Sequence, residues 1–241
     1  MKYQFTLAQI SNRGSREINE DAIYTACFNG NTGMILCDGL GGHGLGDVAS
    51  GLVVDVFRDE FKKAEKTADL IPAAFDAAQQ KLLAEQSDRN VPNKMKTTAV
   101  MAVADERNLR LGHIGDSRAY VFYKNKVLKR TLDHSVPQML VLSKVISEEE
   151  IRNHPDRNLL VRVMGTRWND KQYEIMKPLP LRKVQAVLLC SDGFWELVDE
   201  ACMCRLLTDA DNVQQWLDMM VKILEANGEG RDMDNYSAIA M

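Results

Sequence analysis

The chain has 241 residues, of which 45% are hydrophobic and 27% charged, and its formal net charge at pH 7 is −4. This composition excludes collagen-like, low-complexity and largely disordered proteins, and the mild acidity disfavours a nucleic-acid-binding protein, which would carry a basic surface. At about 150 residues per domain, the length corresponds to one large domain or two small ones.

The first part of the chain predicts three strands followed by two helices. Apolar and β-branched residues mark the strands, which span residues 2–10, 21–28 and 32–37. A glycine-rich loop over residues 38–47 follows the third strand. Val, Leu and Phe then repeat at helical spacing over residues 47–66. The second helix covers residues 70–87, with Pro72 in its first turn.

The rest of the chain predicts mostly strands, interrupted by one polar segment. Four short strands separated by turn residues indicate an antiparallel meander over residues 97–104, 109–114, 118–123 and 126–130. Residues 136–166 are predicted to form a small helical insertion. Strands are then expected at 172–177, 184–190 and 236–241, and helices at 200–207 and 212–226. Because strands neighbour strands and no repeat or linker interrupts the chain, we expect one domain over residues 1–241 with mixed or antiparallel sheets.

The chain lacks the sequence signals of a membrane or secreted protein. Its longest apolar runs have about six residues, against roughly 18 for a membrane-spanning helix. The first ten residues lack the continuous apolar stretch of a signal peptide. The five cysteines are an odd number without CxxC spacing, which predicts free thiols. We therefore expect a cytoplasmic protein without a membrane span and without a nucleic-acid partner.

The glycine-rich loop matches GxGxxG at Gly39, Gly41 and Gly44, which is the pattern of a dinucleotide-binding site. That site also needs a strand after the helix, with an acidic residue about 20 positions on. Here those positions, 59 and 60, lie inside the predicted helix, and a second helix follows. Asp38 at the strand end would also repel a pyrophosphate. A carboxylate followed by glycines is better suited to Mg²⁺ or Mn²⁺, with the Gly39 carbonyl as a further oxygen ligand.

Four other acidic turns share this pattern of an aspartate beside small residues at a strand end. They are NED (19–21), GDS (115–117), SDG (191–193) and DMDN (232–235). Each alone is typical of a turn, because an aspartate side chain accepts hydrogen bonds from nearby backbone amides. If the five carboxylates met at one sheet edge, they could not all stay ionised without cations. The sequence pattern leaves both interpretations open.

The order of seven motifs resembles the metal-dependent type-2C serine/threonine protein phosphatases, in their minimal bacterial form. The motifs are REINEDA (16–22), CDGLGGHGLGDVAS (37–50), TTAV (97–100), GDSRAY (115–120), LDHS (132–135), LLCSDGFWEL (188–197) and DNYS (234–237). The resemblance covers residues 11–241. It implies an α+β fold: a four-layer α-β-β-α sandwich of two mostly antiparallel sheets flanked by helices, with residues 136–166 as a small flap.

The resemblance also implies a centre with two Mn²⁺ or Mg²⁺ ions, and a possible third. In the implied set, Asp38 bridges both metals and Gly39 offers its carbonyl as a ligand. Asp192 and Asp234 hold one metal, and Asp21 holds the other with Glu20 supporting it. Asp116 shares the third metal with Asp192, and Arg16 binds the substrate phosphate. Arg16 and Asp38 are the implied catalytic residues. The position of Leu40 carries a histidine in eukaryotic members, and we do not assign that histidine's role as an acid to His43.

The implied activity is hydrolysis of phosphoserine and phosphothreonine by a dimetal-bound hydroxide, which reverses a bacterial Ser/Thr kinase. The implied partners are phosphorylated proteins and the cognate kinase, and SDGFWEL (191–197) also resembles phosphatases of type VI secretion systems. We expect a monomer. The alternatives are a non-catalytic phosphoprotein-binding pseudophosphatase and, less favoured, a dinucleotide-binding enzyme that uses the GxGxxG loop.

Overall fold

Two antiparallel sheets lie face to face in the computed structural model, which describes residues 3–41, 44–64 and 66–241. One sheet has the strand order β1-β11-β10-β6-β7, and the other has the order β2-β3-β4-β5-β8, with β9 also paired to β5. The strands are β1 (Ala8–Asn12), β2 (Asp21–Phe28), β3 (Asn31–Asp38), β4 (Ala99–Ala104), β5 (Asn108–Ile114), β6 (Arg118–Tyr123), β7 (Lys126–Arg130), β8 (Glu174–Ile175), β9 (Leu179–Pro180), β10 (Ala186–Cys190) and β11 (Tyr236–Ala240).

Helices cover the outer face of each sheet. The helices of the described residues are α1 (Gly46–Lys63), α2 (Thr67–Asp88), α3 (Val136–Leu142), α4 (Asp192–Trp195), α5 (Glu200–Asp209) and α6 (Val213–Gly228). Helices α1 and α2 pack on the second sheet through one apolar cluster, and α5 and α6 pack on the first sheet through another. A third cluster fills the space between the sheets. This confirms the expected α-β-β-α sandwich.

The alternation of side chains along β3 explains how one strand serves two layers. Met34 and Leu36 point into the cluster between the sheets, whereas Ile35 and Cys37 point towards α1 and α2. Successive side chains of a strand face opposite sides of the sheet. Because both faces of β3 are covered, its residues 32–37 are all buried, and the strand appears in the sequence as a continuous apolar run.

The segment over residues 136–166, predicted as a small helical flap, contains two short helices. They are α3 and a 3-10 helix over Glu148–Asn153. Ser135 begins α3, because its hydroxyl accepts a hydrogen bond from the Gln138 amide. Ser147 and Glu150 form a reciprocal capping box at the start of the 3-10 helix. The flap therefore has well-defined local structure despite its polar sequence.

Several predicted boundaries were wrong. Strand β1 begins at Ala8 instead of residue 2, because Ala8 already pairs with Ala240 at the end of its partner strand. The strand expected over 172–177 is reduced to Glu174–Ile175. Helix α2 begins at residue 67, so Pro72 lies inside the helix beyond its first turn. Packing of the flanking residues sustains the helix around a proline, which lacks the backbone N–H of a normal helical residue.

The fold also bears on the alternatives that the sequence left open. Helix α1 is followed by α2, and β3 is antiparallel to both of its neighbours, β2 and β4. A dinucleotide-binding unit instead needs two parallel strands joined by one helix. All five cysteines are free, as predicted. Within the described residues, none of the helices is both long and apolar enough to span a membrane.

Candidate functional site

Four aspartates that are far apart in the sequence line one cavity of about 830 Å³. They are Asp38, Asp116, Asp192 and Asp234. Asp38 ends β3, Asp116 lies in the turn between β5 and β6, Asp192 follows β10, and Asp234 precedes β11. The antiparallel pairing brings these strand ends to one end of the sandwich, so the structure brings together the carboxylates that the sequence could only place at strand ends.

Hydroxyl groups of the TTAV motif hold Asp38 in place. The Asp38 amide donates to Thr98 Oγ1 at 3.0 Å, and Thr97 Oγ1 donates to the Asp38 carbonyl at 2.8 Å. Thr98 Oγ1 also lies 2.6 Å from Ser117 Oγ, next to Asp116. The motif thus fixes the backbone of Asp38 and connects it to the neighbouring turn. The pair of threonines before β4 was the sequence signal for this role.

Trp195 connects two of the cavity aspartates. It lies on α4, the short helix that begins at Asp192, and its Nε1–H donates to the backbone carbonyl of Asp116 at 3.0 Å. The guanidinium of Arg118 lies over the Trp195 ring, 3.4 Å from its centre, and forms a buried ion pair with Asp133 at 2.6 Å. Trp195 is therefore a core residue that also sets the relative position of Asp116 and Asp192.

Arg16 lies on the cavity wall and forms a two-pronged ion pair with Asp234. Its Nε is 3.1 Å from Oδ1 and its Nη2 is 3.2 Å from Oδ2. The hydrogen bond and the charge of Asp234 raise the pKa of Arg16. The structure thus holds a permanently charged planar donor at the edge of the aspartate cluster, where it can bind two oxygens of one phosphate.

Glu20 and Asp21 occupy different places. Glu20 lines the cavity, and Asp21 is not among the described residues that line it. Asp21 lies opposite Asp38 in the β2–β3 pairing. Its Oδ2 accepts a 2.9 Å hydrogen bond from Ser191, whereas its buried Oδ1 has no partner. A Cβ on Gly41 would lie 1.7 Å from Glu20 Oε2, so the glycine leaves room for this carboxylate. The resemblance implied Asp21 as the metal ligand with Glu20 supporting it, whereas in the structure Glu20 is the one of the two that lines the cavity.

The buried carboxylates have strongly perturbed acidity. Burial, followed by the charge of Asp192, raises the pKa of both Asp38 and Asp116 well above the ordinary range. Burial and then Asp234 raise the pKa of Asp192. Burial also raises the pKa of Asp21 to about 7. Such a group of oxygens is poorly stable as bare anions, but it suits hard divalent cations, which prefer oxygen ligands.

Gly39 is required by space and not by its backbone torsion. A Cβ at this position would lie 2.3 Å from the Gly46 carbonyl oxygen and 2.7 Å from that of Glu20. The Gly39 amide donates to the Glu20 carbonyl at 3.1 Å. The backbone at Gly39 therefore passes directly between the start of α1 and the segment that precedes β2, at the wall of the cavity.

Comparison with known proteins identifies the family. A model of the family "Protein phosphatase 2C" matches residues 9–236. The chain belongs to this family. It is 31% identical over 215 residues to the serine/threonine phosphatase stp of Listeria innocua, which covers 86% of this chain and 82% of that protein.

Solved structures of phosphatases have the same fold. The serine/threonine phosphatase Stp1 from Staphylococcus aureus is 28% identical, with a TM-score of 0.88 over 100% of this chain and 95% of that one. The catalytic domain of PstP in complex with two manganese ions is 25% identical, with a TM-score of 0.81 over 98% of this chain and 96% of that one. The family and the fold therefore agree with the resemblance read from the seven motifs.

The cavity of this phosphatase 2C domain also has lining residues that the sequence interpretation missed. Lys96, Leu159 and Val161 line it, and so does Leu40, the position that carries a histidine in eukaryotic members. Lys96 precedes the TTAV motif, and the two apolar residues come from the flap. His43 lies outside the described residues. The missed residues have no sequence pattern of their own, and only their packing around the aspartates connects them with the site.

Proposed function

We propose that the chain is a metal-dependent protein serine/threonine phosphatase that hydrolyses phosphoserine and phosphothreonine. The observation that carries this proposal is the convergence of Asp38, Asp116, Asp192 and Asp234 on one cavity beside Arg16. Membership of the phosphatase 2C family and the similarity to named serine/threonine phosphatases support the same reaction.

The cavity residues fit two divalent cations, Mn²⁺ or Mg²⁺. Asp38, Asp192 and Asp234 offer carboxylate oxygens, and Gly39 offers a backbone carbonyl. The unpartnered Oδ1 of Asp21 indicates a place for a cation or an ordered water beside it. When bound, the cations would lower the pKa of a water molecule and offset the negative charge of the phosphoryl oxygens.

Glu20 also offers a carboxylate on the cavity wall. We propose that Glu20 and Asp21 both support the second cation, with Glu20 facing the cavity and Asp21 behind it. Asp116 together with Asp192 would hold a third cation, because the two carboxylates lie on neighbouring walls that Trp195 connects.

The chain's own residues bind and orient the substrate. Arg16 would bind the phosphoryl group through the Nη1 and Nη2 donors that its pairing with Asp234 leaves free. Its ion pair with Asp234 orients the guanidinium before substrate arrives, which lowers the entropy lost on binding. Leu40, Leu159 and Val161 line the cavity with apolar surface, which would exclude water around the phosphate and strengthen its electrostatic contacts.

We further propose that residues 1–241 form a single catalytic domain with residues 136–166 as its flap, and that it acts as a monomer. The shared core between the sheets supports one domain. Its substrates would be the products of a bacterial Ser/Thr kinase. We include type VI secretion components among these substrates because of the SDGFWEL motif. Unchanged phosphorylation of these components in a strain that lacks the protein would contradict their assignment as substrates.

The proposed activity is tested with a phosphothreonine peptide, with and without Mn²⁺. We expect phosphate release that depends on Mn²⁺ and is lost in Asp38→Asn, which keeps the size of the side chain but removes its charge. The matched control is Asp170→Asn, because Asp170 is exposed and does not line the cavity. The control variant should keep the wild-type rate.

Two results would contradict the proposal. One is the absence of metal-dependent phosphate release from the wild-type protein, and the other is full activity in Asp38→Asn. If calorimetry also showed no Mn²⁺ binding, a non-catalytic phosphoprotein-binding role would explain the fold better. None of the metal ligands implied by the resemblance is replaced in this chain, which favours the enzyme over that alternative.

A further inference from the structure

Lys96 is one of two basic residues among the described residues that line the cavity, and the other is Arg16. The guanidinium of Arg16 is already paired with Asp234 at 3.1 Å and lies 3.8 Å from Asp232. In the described part of the chain, the ammonium of Lys96 has neither an ion pair nor a hydrogen bond with another side chain. Lys96 thus keeps its donors available for an anion that enters the cavity.

The local backbone directs Lys96 away from the core. Met95 and Thr97, on either side of it, are both completely buried, whereas Lys96 is half-buried. Residues 96 and 97 are extended beside the glycine-rich loop: Thr97 pairs with Gly39, and the Lys96 carbonyl accepts a 2.9 Å hydrogen bond from the Leu40 amide. Because side chains alternate along extended backbone, Lys96 faces the cavity.

This position is notable because the other charged residues that line the cavity, apart from Arg16, are acidic. Asp38 ends the strand next to Lys96, yet no carboxylate of the described residues lies within ion-pair distance of the ammonium. The cavity carboxylates are suited to divalent cations, so they need no lysine as a counter-ion. A lysine offers a compact charge with three N–H donors, which suits a phosphate oxygen.

We propose that Lys96 is a second phosphate-binding residue, which contacts the phosphoryl group of the substrate from the side of the Gly39–Leu40 backbone. This inference rests on the proposed phosphatase function. Arg16 would bind the same group from the side of Asp234. The side chains of Arg16 and Lys96 reach the cavity from segments that are 80 residues apart, so together they define the orientation of the phosphate.

The test compares Lys96→Gln with Lys96→Arg and with the control Lys94→Gln. Lys94 is exposed, lies two residues away and does not line the cavity. The first readout is calorimetric binding of inorganic phosphate to the Mn²⁺-loaded protein. The others are KM and kcat for p-nitrophenyl phosphate, which has no peptide, and Mn²⁺ affinity measured without phosphate.

We expect Lys96→Gln to weaken phosphate binding about 5- to 10-fold, the range for one charge-assisted hydrogen bond at a half-exposed site. KM should rise by a similar factor, while Mn²⁺ affinity stays unchanged. Lys96→Arg should recover most of the loss because it restores a positive donor. Lys94→Gln should behave as the wild type.

Unchanged phosphate binding and KM in Lys96→Gln would overturn the proposal. A defect confined to phosphopeptides with acidic flanking residues would overturn it too, because Lys96 would then contact the peptide. Measurements on the wild-type protein distinguish failure of this proposal from failure of the proposed function. If it binds phosphate through Lys96 but releases none from phosphopeptides, the phosphatase function fails and the binding role stands. If it releases phosphate from phosphopeptides but Lys96→Gln binds phosphate as the wild type does, the binding role fails and the phosphatase function stands.

Discussion

Replacing Asp21 with asparagine is expected to stabilise the metal-free protein at neutral pH. Asp21 is 8% exposed, and burial raises its pKa from 3.8 to about 7. The folded state therefore holds the proton more tightly than the unfolded state. The wild-type protein consequently loses stability as the pH rises from about 4 to about 7, where the folded carboxyl also ionises. Asparagine has no charge to lose, so it escapes this penalty.

The size of the effect follows from the distance between the two pKa values. About three pH units separate them, and each corresponds to about 1.4 kcal/mol, so the full difference is of the order of 4 kcal/mol above pH 7. The substitution keeps the local contact, because Asn Oδ1 can accept the hydrogen bond from Ser191 that Asp21 Oδ2 accepts at 2.9 Å. The NH2 group of the asparagine takes the place of Oδ1, which has no partner, so its buried unpaired donors should reduce the gain by about 1–3 kcal/mol.

The assay is urea denaturation in EDTA at pH 4.5, 6 and 7.5, with the free energy of unfolding compared between wild type and Asp21→Asn. The gap should be small at pH 4.5 and largest at pH 7.5. Asp170→Asn is the control, because this exposed aspartate lies outside the helices and strands and should change stability by less than about 0.5 kcal/mol. Saturating Mn²⁺ should stabilise the wild type by about 2.7 kcal/mol at 100 times its Kd, and so narrow the gap.

The reasoning would be refuted if metal-free Asp21→Asn were no more stable than the wild type at pH 7.5. It would also be refuted if the gap shrank as the pH rose, because the buried carboxylate would then be stabilised by contacts that the structure does not show. If Mn²⁺ did not change the free energy of unfolding of the wild type, the aspartate cluster would not bind the cation.

Two further predictions concern the walls of the cavity. Trp195→Phe removes the Nε1–H that donates to the Asp116 carbonyl at 3.0 Å. The free energy of unfolding in urea should fall by about 1–3 kcal/mol, and calorimetry should show weaker Mn²⁺ binding. If neither value changed, the positioning role of Trp195 would be contradicted. Gly39→Ala places a Cβ 2.3 Å from the Gly46 carbonyl, and overpacking of about 1–3 kcal/mol should lower Mn²⁺-dependent phosphatase activity at least several-fold. Gly51→Ala is its control, since a Cβ there meets nothing within 4 Å, and wild-type activity in Gly39→Ala would refute the steric argument.

The sequence by itself determined the elements of the layers and the family of the chain. Residues 32–37 form an uninterrupted apolar run because both faces of β3 are buried. The apolar residues of α1 (Gly46–Lys63), which was predicted over 47–66, repeat at helical spacing because α1 covers one sheet face. These signals are local, because the side-chain patterns of strands and helices repeat within a few residues. The seven motifs in order indicated the phosphatase resemblance, and their aspartates suggested a metal site.

Only the tertiary structure decided which of these aspartates meet, and what surrounds them. Asp38 and Asp234 are almost 200 residues apart, and antiparallel pairing alone brings their strand ends to one cavity. The structure also separated Glu20 on the cavity wall from Asp21 behind it, and it revealed Lys96. The physical reason is that burial, desolvation and pairing depend on residues distant in sequence, so the chemistry of a carboxylate or a lysine is set by neighbours that no local pattern records.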